Sequence, residues 1–245
     1  MSYESIHIWG LFPSDEYESH ARSLIHRLAE CLGFPETDAG DVYYPHGKHG
    51  HQQATTVAAL AEELLDSGDA QLGGVDSSST LEYGDIGVVS RLYAPDPTVP
   101  LTPAYHLRIS ASLFRDDIHP SEAIVASRQR LVDLATTVSV AAEPVYSYAF
   151  PATSPRVLDE HPTRETITEG RIPNLDWLTV FPETFVDQVG RDRFVSAPAA
   201  EVRELEGGSI ALVATEDPLD RDVETLRAIE RHLEDGTNGT RSGTT

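Results

Sequence analysis

From Ala104 to Phe114 apolar and polar side chains alternate, with Tyr105, Leu107, Ile109, Ala111 and Leu113 on one side. A strand with a single apolar face has to be covered on that face by a second layer. The segment therefore commits the chain to a sheet packed against helices, and two helical stripes supply the cover. Ala21, Leu24, Ile25, Leu28, Cys31 and Leu32 recur at helical spacing from Tyr17 until Gly33 stops the pattern. Ile124, Leu131, Leu134, Ala135 and Val138 do the same from about Ser121 to Ser139.

The other β-forming runs set the order. Ser5 to Phe12 is a short apolar run ended by Pro13, and Asp15 and Glu18 then have capping-box spacing. Asp85 to Tyr93 reads as a strand paired antiparallel with Ala104–Phe114 across a Pro-rich connection, Pro95 to Pro103, and Val145 to Phe150 as a strand ending at Pro151. Leaving aside a polar insertion, the order is β-α-β-β-α-β, the split βαβ or ferredoxin-like plan. The expected class is thus α+β, with a ferredoxin-like lobe over residues 1–151. The insertion, residues 34–80, reads as a loop from Phe34 to Gln53, a helix over Thr55 to Leu65 and a Gly- and Ser-rich linker from Gly73 to Thr80.

Pro151 to Pro173 is polar and turn-rich and marks the boundary to a second, smaller α+β lobe over residues 174–235. Asp176 to Phe181 is its first strand, and Pro182-Glu183 opens a short helix closed by Gly190. Val202 to Leu205 and Ser209 to Ala214 flank Glu206-Gly207-Gly208, a hairpin signal because adjacent glycines supply the positive φ of tight turns. Leu219, Val223, Leu226, Ile229 and Leu233 line a final helix, and residues 236–245, without an apolar side chain, are expected to be a disordered tail.

Charge narrows the partners. Against 40 Asp and Glu stand 18 basic residues, of which Lys48 is the only lysine, giving a formal charge of -22. Such a surface repels itself in dilute buffer, whereas a Debye length of about 3 Å at molar salt screens it. The acids are spread over every segment, so the chain reads as salt-adapted, of the halophilic type, and nucleic acid and anionic membranes are excluded as partners. Cys31 is the sole cysteine, which excludes an internal disulfide and any zinc site of two or more thiolates, and its place in an apolar stripe makes it a small buried hydrophobe. Met1-Ser2-Tyr3-Glu4 has no basic leader pattern and no apolar run approaches the ~18 residues of a membrane span, so a cytoplasmic location is expected.

The sharpest local feature is His46-Gly47-Lys48-His49-Gly50-His51, where His46, His49 and His51 lie close enough in sequence to hold a transition metal together, with Asp41, His20 or His26 as a further ligand. His20 and His26, six residues apart, do not share a helix face. His119-Pro120 and His161-Pro162 are turn residues. No Gly-x-Ser-x-Gly elbow, Gly-rich phosphate loop or His-Glu-x-x-His is present, and Asp116-Asp117 is uninformative in so acidic a chain. Apart from that candidate metal no cofactor is expected.

Between Asp176 and Leu212, a Trp177-Leu178-Thr179 strand ending at Phe181, a short helix closed by Gly190 and a Gly207-Gly208 hairpin followed by Ser209-Ile210-Ala211-Leu212 resemble the immunity proteins of polymorphic toxin systems, in particular immunity protein 52. The resemblance implies an α+β protein that binds and neutralises a cognate toxin, often a nuclease, by stoichiometric steric blockade without catalytic residues. Its docking surface is then to be sought among aromatic and Arg residues such as Tyr43, Tyr44, Arg156 and Arg171. Two alternatives stand beside it: a metal-binding protein or metal-dependent enzyme using the His46 to His51 loop, and a structural or oligomeric protein whose sheet edge pairs with another copy.

Overall fold

The alternating segment forms a central strand of one large antiparallel sheet. The computed structural model describes residues 5–31, 42–46, 50–54, 69–72, 81–83, 86–93, 101–152, 164–173, 175–220 and 222–234. Strand β7 (Leu101–Ser110) lies between β1 (Ser5–Pro13) and β6 (Ile86–Tyr93). Tyr105, Leu107 and Ile109 are buried, while Arg108 and Ser110 are exposed. The strand stops earlier than the alternation implies, because the Ser110 hydroxyl accepts a hydrogen bond from the Ser112 amide and the chain turns into a short 3-10 helix, Ala111–Phe114. It also starts earlier, admitting Pro103 where the register with β1 shifts between Gly10 and Leu11. An irregularity of that kind is where a residue without an N–H is tolerated.

Helices α1 (Ser14–Cys31) and α2 (Ser121–Ala142) pack on each other and against β1. Leu24 of α1 and Leu131, Leu134, Ala135 and Val138 of α2 are fully buried, the stripe the spacing predicts. Helix α2 runs past Ser139 and ends at Glu143, which takes a left-handed φ of 54° and donates its amide to the Ser139 carbonyl.

The remaining strands are β2 (Val42–His46), β3 (Gly50–Ala54), β4 (Asp69–Leu72), β5 (Leu81–Tyr83), β8 (Tyr146–Pro151), β9 (Leu178–Phe181), β10 (Glu201–Glu204) and β11 (Ile210–Val213). The sheet order is β10-β11-β9-β8-β1-β7-β6-β4-β2-β3, with β5 also on β6. The neighbours β8-β1-β7-β6 are the four strands read from the first lobe, but the sheet does not end with them. The insertion adds β2 and β3, where a loop to Gln53 is expected from sequence, together with β4. On the other side β9 pairs with β8 and carries β11 and β10. The helix expected over Thr55 to Leu65 and the tail from 236 lie outside the described residues.

The remaining helices are a small α3 (Arg164–Thr168), α4 (Glu183–Val189), α5 (Arg191–Val195) and α6 (Val223–Glu234). One apolar cluster joins Leu11, Tyr146, Tyr148 and Phe150 from the first half of the chain to Phe181, Phe185, Phe194, Leu212, Ile229 and Leu233 from the second. Phe181 is its hub, with ring centroids 5.0 Å from Phe194 and 5.2 Å from Phe185. The protein is of the α+β class. Among the described residues no helix is long and apolar enough to cross a membrane.

Candidate binding surfaces

The β10–β11 hairpin is built as its glycines require. Gly207 and Gly208 have φ of 74° and 81°, a region open to glycine and costly for other residues. Arg191 ties the turn down: its Nη2 donates to the Gly208 carbonyl at 2.7 Å and its Nη1 to Glu204 at 2.8 Å. Glu183, at the start of α4, lies so near that a Cβ on Gly208 would meet its Oε1 at 2.6 Å. At the other end of the unit Trp177 is buried, and its indole Nε1 donates to the Thr215 carbonyl at 3.0 Å. The Ala214 amide donates to the Trp177 carbonyl at 2.8 Å.

Beside this turn is a cleft of about 580 Å³, bounded by the end of α2, the start of α4 and the Gly207 turn. Glu143, Glu183 and Glu206 line it with the hydroxyl-bearing Ser139, Thr184 and Ser209, over a floor that includes Val140 and Val180. Glu143 is paired with Arg27 at 2.9 Å. The lining has no His, Cys or Lys, and its carboxylates suit it to accept donors and cations.

A second surface lies on the sheet. His7 and Trp9 of β1 and His106 of β7 alternate with the core residues and stand on the opposite face. The His106 Nε2 and His7 Nδ1 are 2.8 Å apart, and His7 Nε2 is 2.7 Å from the Ser5 hydroxyl. Trp9 stacks on His106 with centroids 4.7 Å apart and 21° between planes, and Phe150 stacks on His7 at 5.4 Å. Burial, with a smaller push from the Arg108 guanidinium, holds the His7 imidazole below its usual value. Burial pushes the neighbouring tyrosines the other way: Tyr105 is raised to about 12, and Tyr146 and Tyr148 are also raised. All three stay protonated.

Local spacing in the chain does not reveal this row, because His7 and His106 are far apart in sequence. The signal was there in Ser5-Ile6-His7-Ile8-Trp9, whose polar and aromatic members share one side of a strand, and again in His106 among Tyr105, Leu107 and Ile109. Of the residues singled out for metal, His46 falls in β2 and His51 in β3, where the register sets His46 opposite Gly50 and His51 opposite Pro45. His49 and Asp41 lie outside the described residues. His20 and His26 are exposed on α1, and no group of metal-ligating side chains occurs among the described residues. Cys31 is half-buried rather than buried, its thiol pushed up by burial and by Glu30. Of the docking candidates, Tyr43 and Tyr44 belong to β2, Arg156 lies outside the described residues, and Arg171 is exposed and pairs with Glu169 at 2.9 Å.

Neither a protein-family model nor a curated protein matches the chain. Among solved structures, the Pseudomonas aeruginosa T6SS protein PA0821 is similar at 14% identity and a TM-score of 0.44, over 92% of this chain and 76% of that one.

Proposed function

We propose that the chain is a non-enzymatic, cytoplasmic binding protein that neutralises a cognate protein toxin. The observation that carries this reading is the build of residues 177–215. The residues on which the likeness to immunity proteins rests form one braced unit, anchored by Trp177 on Thr215 at one end and by Arg191 on Gly208 at the other. A braced surface is preorganised for recognition by shape, and this one presents an acidic cleft to a partner. The test is genetic and biochemical. Each reading frame adjacent to the gene is expressed alone and together with this chain in the native host. The reading requires one frame that arrests growth alone and is tolerated in the pair; if none is toxic, or if co-expression gives no protection, it is wrong.

A second reading keeps the histidine motif. The pairing of β2 with β3 sets His46 opposite Gly50 and His51 opposite Pro45, so the two ends of the motif are neighbours. Zinc or nickel titration of the wild type against a His46→Ala, His49→Ala, His51→Ala variant decides it. Equal, negligible uptake by the two rules metal binding out.

A further inference from the structure

We infer that the groove between the start of α2 and the loop after β11 docks a cationic protein segment that carries an apolar anchor. The inference rests on the toxin-neutralising reading and adds to it the place of contact and the chemistry of the partner.

The groove holds about 480 Å³. Its apolar lining is Phe114, Ile124, Val125 and Leu219. Val125 is 62% exposed and Ile118, in the turn that leads into α2, is 51% exposed. These are two of the four large hydrophobic residues exposed among the described residues; Val125 lines the groove, and Ile118 precedes it in the turn before α2. An exposed apolar side chain set beside further apolar lining in a concave site is the pattern of a contact surface.

The charges around them are unbalanced in one direction. Arg115 is held by Asp117 through two hydrogen bonds, and Arg128 is 3.6 Å from Glu201. Asp116, Glu216 and Asp217 line the same groove and have no cationic partner among the described residues; the Asp217 carboxylate accepts only the Leu219 amide, at 2.8 Å. A ring of carboxylates around an apolar floor complements a leucine- or phenylalanine-type anchor flanked by basic groups. A nucleic acid would set its phosphates directly against these carboxylates. Arginine suits the role better than lysine, because its weakly hydrated guanidinium can grip a carboxylate with two parallel hydrogen bonds, which survive screening better than a long-range attraction.

The probe is a short synthetic peptide with a leucine pair flanked by arginines, compared with a counterpart carrying glutamates in their place. Both are titrated into the full chain with methyl-labelled Ile, Leu and Val and followed by NMR at molar salt. The arginine peptide is expected to shift the methyls of Ile118, Ile124, Val125 and Leu219 and to bind at least about tenfold more tightly than the glutamate peptide. An Ile118→Ser, Val125→Ser variant, altered only at exposed positions, should lose about tenfold, and an Asp116→Asn, Glu216→Gln, Asp217→Asn variant as much. Shifts spread over the whole acidic surface, equal binding of the two peptides, or unchanged binding by both variants would overturn the inference. Growth protection separates it from the reading beneath: if the serine variant still neutralises the toxin fully, the groove is not the docking site although the toxin reading stands. If no neighbouring frame is toxic, the toxin reading fails, and the groove is judged by the peptides alone.

Discussion

A Cβ on Gly10 would stand 2.1 Å from Cε1 of Tyr105, its partner on the adjacent strand. The buried ring of Tyr105 fills the space that any side chain at position 10 would need, and its hydroxyl is 3.2 Å from the Ser147 hydroxyl on the far side of β1. Gly10 is thus what allows β1 to lie between β7 and β8 with the tyrosine crossing over it. A Gly10→Ala substitution cannot be absorbed by a flexible side-chain tip, and we expect it to cost about 2 kcal/mol through overpacking. Denaturant unfolding at constant molar salt reads this directly, and an unchanged midpoint would show that the ring moves freely.

The two glycines of the β10–β11 turn should differ. Gly207 has open space where a Cβ would go, so Gly207→Ala pays only for its positive φ, about 1 kcal/mol. Gly208 meets the Glu183 carboxylate as well, so Gly208→Ala should be the more damaging, and part of its cost should vanish in a Glu183→Ala background. Independent, additive effects of the Gly208 and Glu183 changes would mean that the contact does not matter to stability.

Stability should fall on mild acidification, and His7 should account for part of the fall. Its imidazole is held below its usual value by burial, reinforced by Arg108, so the folded protein stays unprotonated where the unfolded chain, near pH 6.5, takes up a proton. His7 therefore contributes stability above the unfolded value and loses it as pH drops through the interval down to the folded one. His106 faces it across the shared hydrogen bond. Asp117 and Asp222, held below the usual carboxylate range by Arg115 and by Thr225 respectively, act only at lower pH. Unfolding free energies between about pH 7.5 and about pH 5 should slope less steeply in a His7→Gln variant. Identical slopes would remove His7 from the account.

Salt should act as a structural component. Raising potassium chloride from about 0.1 M to about 2 M shortens the screening length several-fold, and the melting temperature should climb throughout that range. A flat or falling curve would mean that the carboxylates are matched in some other way and that salt adaptation is not what the composition records.

How much of this was legible in the sequence follows from the range of each interaction. The core faces of β7, α1 and α2 could be read because Tyr105, Leu107, Ile109 and Leu131 obey local periods of two and 3.6 residues. Gly207-Gly208 could be read because the turn itself demands them. The pairing of Ser147 on β8 with Val180 on β9, which continues the sheet into β9, β11 and β10, joins segments separated by a polar stretch and has no local pattern to announce it. The same is true of the groove: Val125 follows Ile124 in a helix that looks simply amphipathic, and only folding brings Glu216 and Asp217 beside it. The His7 and His106 row was half-legible, since alternation places each on a face but pairing alone brings them together.

The claim on which most depends is that this chain acts by binding one protein partner and not by catalysis. Sedimentation equilibrium at molar salt, on the chain mixed with the purified product of the adjacent toxic reading frame, tests it together with a titration of the toxin's own activity. A single one-to-one complex is expected, with toxin activity that falls linearly to zero at equal concentrations. Two separate species, or toxin inactivated by a small fraction of its own concentration of this chain, would contradict it.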